Sequence, residues 1–133
     1  KEVKRRIMVG SLLLSGENAR TYYNKALQIR DDLKKSFENI FKDYDLILGP
    51  TSSRVAYDLN TGNDDPLRSF MDDILVFHAN MGGFPAMNVP MGFIDKMPIG
   101  LQIMGNRMDE AKIYQLGHFI EKELNLDLGG QHE

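Results

Sequence analysis

The sequence predicts a domain that mixes helices with short strands, of the α/β or α+β class. Three observations carry this. Apolar residues recur at a three-four spacing from Ala19 to Tyr44, the strongest periodic signal in the chain. The run Asp45-Leu46-Ile47-Leu48-Gly49, closed by Gly49-Pro50, has the length and composition of a buried strand. Two further strand-like segments, Ala86 to Phe93 and Ile99 to Met104, flank Asp95-Lys96-Met97-Pro98, as the arms of a hairpin flank its turn.

Taken in order, Glu2 to Leu14 reads as a helix. Val3, Ile7, Gly10 and Leu14 share one face, and Met8, Leu12 and Leu13 add apolar surface elsewhere. A helix apolar on so much of its circumference is expected to be buried. Ser15-Gly16 ends it. The long helix from Ala19 then presents Tyr23, Ala26, Leu27, Ile29, Leu33, Phe37, Ile40, Phe41 and Tyr44 as its stripe. The opposite face (Asp31, Asp32, Lys34, Lys35, Glu38, Lys42) reads as solvated surface, with Glu38 and Lys42 placed for i,i+4 support. Thr51 to Asp64 is polar and glycine-containing, a loop. Asp65-Pro66 opens a third helix, Asp65 as N-cap and Pro66 at the first helical position. That helix carries Leu67, Phe70, Met71, Ile74 and Phe77 and stops at Gly82-Gly83-Phe84-Pro85. In the last strand Ile99, Leu101 and Ile103 alternate with Gly100, Gln102 and Met104, a half-buried pattern. Asp109 caps a final helix to about Leu124, with Ile113, Leu116, Gly117, Ile120 and Leu124 inward. Residues 125–133 form a polar tail expected to fray. There is no internal repeat and no low-complexity tract.

Composition narrows the function classes. The 133 residues suit one domain of ordinary size. Sixteen Lys and Arg against nineteen Asp and Glu give a net charge of −3, which argues against a chain whose main task is to coat nucleic acid. Hydrophobic residues at 42% and charged residues at 26% are a globular balance. No cysteine is present, so there is neither a disulfide framework nor a thiolate metal site. No apolar run is long enough to span a bilayer. Lys1-Glu2-Val3-Lys4-Arg5-Arg6 lacks the features of a signal peptide. It also lacks an initiator methionine and begins inside what reads as a helix, so the chain is expected to be a piece of something longer.

The common chemical motifs are missing. His78, His118 and His132 share no metal-ligand spacing and read as surface or satisfied histidines. The sequence holds no P-loop, no dinucleotide fingerprint and no Gly-x-Ser-x-Gly elbow. Its eight methionines read as gap-filling core. Two charged pairs are more informative. At about 100° per residue, Arg6 sits between Val3, Gly10 and Leu13, while Arg5 points away from the apolar stripe. Arg6 is thus placed to face inward, where its permanent charge requires an anion. Asp72 follows Arg68 by four residues, a surface pair, whereas Asp73 falls in the row Phe70–Asp73–Phe77 and is expected to be the more buried. Spacing leaves two uses open for Arg6 and Asp73. They form structural ion pairs, even with each other, or they make a zwitterion site in which a guanidinium takes a carboxylate and a carboxylate takes an ammonium.

An ordered series of segments carries a resemblance. It comprises Val3-Lys4-Arg5-Arg6-Ile7-Met8 with Gly10, Tyr22-Tyr23-Asn24-Lys25-Ala26, Tyr44-Asp45-Leu46-Ile47-Leu48-Gly49-Pro50-Thr51 and Asp64-Asp65-Pro66-Leu67. It continues through Asp72-Asp73-Ile74-Leu75, Gly83-Phe84-Pro85-Ala86, Val89-Pro90-Met91-Gly92, Pro98 to Gly105, and Asp109-Glu110-Ala111. Each is weakly specific alone; their order is strong. The chain resembles the C-terminal part of the amidase signature family, and within it the A subunits of the tRNA-dependent amidotransferases that amidate Glu-tRNA(Gln) or Asp-tRNA(Asn).

The resemblance implies an α/β fold, a mixed β-sheet flanked by helices, with residues 1–124 as the C-terminal portion of an amidase signature domain and 125–133 as the tail. It implies a parent enzyme, a glutamine-hydrolysing amidotransferase that works through an acyl-serine, with a Ser–cis-Ser–Lys triad and a Gly/Ser-rich oxyanion loop. Ammonia would pass to a B subunit that uses ATP and magnesium; a C subunit would wrap around both, and tRNA would be held mainly by B. No cofactor is expected on this chain itself, and the setting would be the bacterial cytoplasm or an organelle. Arg6 matches the family's arginine for the α-carboxylate of glutamine, and Asp73 the aspartate that receives the α-ammonium. No Gly-Gly-Ser-Ser-Gly-Gly type loop occurs here, and Ser52-Ser53 follows Gly49-Pro50-Thr51 instead. The triad is therefore expected upstream of Lys1, no residue of this chain is assigned as catalytic, and the chain alone is expected to be inactive. It is also expected to expose apolar surface on its first helix and on the sheet. Two other readings remain: part of a stand-alone amidase for another small amide, or a non-catalytic interaction module on the same scaffold.

Overall fold

The computed structural model of the protein describes residues 2–57 and 71–127. In chain order it contains α1 (Glu2–Leu13), a short α2 (Gly16–Asn18), a π-helical turn (Ala19–Tyr23), α3 (Asn24–Ile40), β1 (Leu46–Pro50), α4 (Phe77–Gly82), β2 (Ala86–Ile94), β3 (Met97–Gly105) and α5 (Glu110–Leu124). The chain thus mixes helices with a sheet, as its patterning predicts, and is α/β, as the resemblance implies. The three strands pair antiparallel in the order β1-β3-β2. Asp95 and Lys96 alone form the hairpin turn, both with left-handed φ (50° and 66°), the conformation that matches the twist of paired strands. Each hairpin strand therefore runs one or two residues further toward the turn than the apolar pattern indicates. Between Pro90 and Gly92 the register slips by one residue, a bulge at a position where proline could not donate to the ladder.

Alternation along β3 decides which helix covers which face. Ile103, fully buried, joins Val89 and Ile113 under α5, with Leu46, Met87, Leu101, Leu116 and Ile120 packed around them. Met104 points the other way and joins Ala79 of α4 and Phe84, backed by Phe37, Phe41 and Ile47. The end of β3 is therefore covered on both faces, where its sequence pattern predicts one. Phe84 is the hub of the second cluster. Its ring centroid lies 5.8 Å from Phe37 and 5.3 Å from Phe41, and the Arg107 guanidinium carbon stands 5.7 Å from it. Arg107 Nη2 also donates to Gly82 O at 3.1 Å, and Arg30 Nε on α3 donates to Met81 O at 2.9 Å, so both cations tie down the end of α4. Gly83 closes α4 with φ 69°, its N–H on Ala79 O.

Several expectations are corrected. Burial does not hold for α1: Val3, Ile7, Met8, Leu12 and Leu14 are all exposed, Met8 at 72%. Covering both sides of an apolar helix takes other elements, and the described residues do not supply them. The stripe of α3 is likewise only partly used. Phe37 and, just beyond the helix, Phe41 pack against the core, whereas Tyr23, Leu27, Ile29, Ile40 and Tyr44 remain exposed. The long helix has a π-helical turn near its start, which periodicity did not indicate. Asp109 occupies the N-cap position of α5 but makes no side-chain cap; its carboxylate turns to Lys112 instead. Of the eight methionines, only Met104 is core and Met87 packs at the margin of the cluster under α5, while Met8, Met71, Met81, Met91, Met97 and Met108 are exposed. The predicted start of a third helix at Asp65-Pro66 lies outside the described residues, as do His132, Arg68 and most of the polar tail.

Candidate functional site

The face of β3 that buries Met104 at one end becomes polar toward the other. Gly100, Gln102 and Met104 share it by strand alternation, and across the ladder Asn88 stands opposite Gln102. Just past β1, Thr51 N–H donates to Gly100 O at 3.1 Å, and the Thr51 hydroxyl donates to Asn88 Oδ1. Gly100 is what allows this approach: a Cβ there would lie 2.8 Å from Thr51 Oγ1 and 3.1 Å from the Asn88 amide. The segment after β1 is thereby fixed to the sheet and leads directly to Arg54.

Arg54 meets the segment that precedes α4. Its Nε lies 2.7 Å from Asp72 Oδ1. Asp72 is half-buried, and Oδ1, shielded from solvent, accepts no aligned hydrogen bond among the described residues; charge holds the contact. With Arg54 itself exposed, such a pair adds at most about 1 kcal/mol of stability, so its effect is on orientation. Met71 and Asp72 are helical, and the residues directly after them are not. Residues 73–76 form a turn in which Asp73 O accepts from Val76 N at 3.2 Å and from Phe77 N at 3.1 Å, and α4 starts there. Gln102 Nε2 reaches from the sheet to Leu75 O at 3.4 Å. Thr51, Arg54, Asp72, Asn88 and Gly100 line an open depression of about 750 Å³, completed by apolar groups such as Pro90 and Ile99.

The expected burial of the two aspartates is reversed. Asp72 is half-buried and paired with Arg54, and Asp73 is exposed. The row Phe70–Asp73–Phe77 presupposes an unbroken helix, and the turn at residues 73–76 removes that phase relation. Arg6 lies on α1 with its side chain exposed, not inward. Sequence reasoning also passed over Arg54, Asn88 and Gln102. Gln102 alone left a signal, as the one side chain with hydrogen-bonding groups in the otherwise apolar run from Ile99 to Met104. In a strand covered on both faces, such a side chain needs a polar partner.

A second charged group lies at the far side of the sheet. Lys112 Nζ donates to Asp45 Oδ1 at 2.9 Å and to Asp109 Oδ2 at 3.2 Å. These bonds, Asp45 first, hold its ammonium above the ordinary lysine value. The three charges tie the first turn of α5 to the start of β1. His78 packs at a tilt against Phe37, 5.7 Å between ring centroids, and His118 is exposed on α5. Among the described residues no three His, Asp or Glu side chains gather as a metal site, and no helix is long and apolar enough to cross a membrane.

Comparison with known proteins places the chain in a family. The amidase family model matches residues 1–114. The A subunit of glutamyl-tRNA(Gln) amidotransferase from Geobacillus thermodenitrificans is 45% identical over 121 residues, 91% of this chain and 25% of that protein. Its counterpart in Streptococcus sanguinis is 47% identical over 121 residues, with the same coverage. The chain thus spans about a quarter of the length of the curated relatives it matches. Among solved structures, the A subunit of glutamyl-tRNA(Gln) amidotransferase from Thermotoga maritima superposes with a TM-score of 0.76 at 37% identity, over 91% of this chain and 26% of that one. A structure described only as an amidase shares the fold, with a TM-score of 0.75 at 22% identity over 92% of this chain and 29% of its own.

Proposed function

Because the chain belongs to the amidase family, we propose that it is the C-terminal, substrate-binding portion of a tRNA-dependent amidotransferase A subunit, which hydrolyses glutamine and supplies ammonia for Glu-tRNA(Gln) or Asp-tRNA(Asn). The observation that carries this reading is the 45–47% identity to glutamyl-tRNA(Gln) amidotransferase A subunits across nine-tenths of the chain.

In this reading the nucleophilic serine, its cis-Ser and Lys partners and the oxyanion loop belong to other parts of the protein, since no glycine-rich serine loop occurs in these residues. This chain contributes recognition. Arg6 offers a planar fork of donors to the α-carboxylate of glutamine, a paired, charge-assisted contact. Asp73 accepts from the α-ammonium; it is not a general base. The exposure of both groups suits residues that take a ligand together with segments outside this chain, and the apolar residues of α1 would be covered by those segments. The B and C partner subunits, ATP and magnesium at B, and tRNA held mainly by B complete the proposed assembly.

The test uses two proteins. The purified chain alone is expected to show no glutaminase activity, and measurable turnover would overturn the location of the triad. In the full-length protein with its partners, Arg6→Ala is expected to weaken glutamine use by about 2 kcal/mol or more in kcat/KM, the scale for removing one member of a charged hydrogen-bonded pair. Unchanged glutamine kinetics would refute the role of Arg6.

A further inference from the structure

We propose that Arg54 and Gln102 are positioning residues that aim Asp73, by pinning the turn that carries it on either side. The inference rests on the reading of Asp73 as the acceptor for the substrate ammonium. Asp73 opens the turn that precedes α4, and an exposed carboxylate on a four-residue turn has no covalent reason to hold one direction. The structure supplies two anchors. One residue before it, Asp72 is drawn 2.7 Å from Arg54 Nε. Two residues after it, Leu75 O receives Gln102 Nε2 at 3.4 Å.

Both anchors lead back to one face of β3. Gln102 stands on that strand, and Arg54 is three residues from Thr51, whose N–H is bonded to Gly100 O and whose hydroxyl meets Asn88. Gly100 and Gln102 are successive residues on that face, so the two supports trace back to the same strand. The Arg54 pair has a second consequence. Asp72 and Asp73 are adjacent carboxylates, and the guanidinium offsets the charge of the first. A ligand ammonium is then drawn to Asp73 alone, not shared between neighbours. A group that recognises one end of a small substrate must be held to within about 0.5 Å, which makes such supports necessary.

The test measures glutamine hydrolysis by the full-length protein in complex with its partners, beside hydrolysis of glutaramate, the same amide without the α-ammonium. Asp73→Asn first tests the underlying reading: it should raise the glutamine KM and leave glutaramate kinetics unchanged, and no effect on glutamine would overturn both the reading and the inference. Given that effect, Arg54→Met and the isosteric Asp72→Asn should each raise the glutamine KM about three- to tenfold, with kcat within about twofold and glutaramate unaffected. The exchange Arg54→Asp with Asp72→Arg should restore most of the loss, and Gln102→Leu should give a smaller shift in the same direction. Arg54→Met and Asp72→Asn variants that keep the wild-type glutamine KM, or that lose glutaramate activity in equal measure, would overturn the inference while leaving Asp73 as the ammonium acceptor.

Discussion

Gly117 gives the sharpest test of how α5 is seated on the sheet. A Cβ at this position would overlap the Met87 Cε methyl and lie 3.3 Å from Val89 Cγ1. In Gly117→Ala two effects oppose each other. Alanine in a helix interior gains about 1 kcal/mol over glycine. The added methyl must displace the end of Met87 and press on Val89, an overpacking cost of about 1–3 kcal/mol. The net expectation is a loss of about 0–2 kcal/mol. The flexible thioether arm bears most of the displacement, so Met87→Ala should remove most of the cost. On that background Gly117→Ala should stabilise by up to about 1 kcal/mol, giving a coupling energy of about 1–3 kcal/mol between the two sites. Equilibrium urea unfolding of the four proteins of the cycle, followed by circular dichroism, measures it. Effects that add to within about 0.5 kcal/mol would show that α5 does not cross β2 at Gly117.

Two other outcomes follow from local geometry. Lys96 holds φ 66° in the two-residue turn, so Lys96→Gly should raise stability by about 0.5–1 kcal/mol, and a lowered urea midpoint would count against the turn as described. The ammonium of Lys112 is held above the ordinary lysine value of 10.5 by Asp45 and Asp109. A raised folded-state value gives a contribution present below the unfolded value and lost as pH climbs through the folded one. The stability difference between the protein and its Lys112→Met variant should therefore be flat from neutral pH to about 10 and shrink above 10.5; a difference unchanged at high pH would remove Lys112 from the link between α5 and β1.

Local patterns were legible where a single element decides them. The apolar run at residues 45–49, the alternation through 99–104 and the inward face of the last helix reappear as β1, β3 and α5, with Leu124 alone of the predicted inward residues left exposed, because side-chain period and turn chemistry are properties of adjacent residues. The candidate site was less legible. Helix phase selected Asp73 over Asp72 as the inward residue, and the phase was lost at the turn through residues 73–76. Arg54 stood in a segment without periodicity, so nothing short of tertiary contact could bring it to Asp72, eighteen positions along the chain.

Residue order therefore specified most of the elements, the hairpin and, through an ordered series of short segments, the family. These depend on interactions within a turn or between neighbouring strands. Tertiary structure decided the rest. It determined that both faces of β3 are covered at one end, that α1 keeps its apolar residues exposed, and that Arg54 and Gln102 reach the turn around Asp73. Those outcomes depend on which surfaces meet across long stretches of chain, and a side chain's partner at such a distance is set by packing, not by its own spacing.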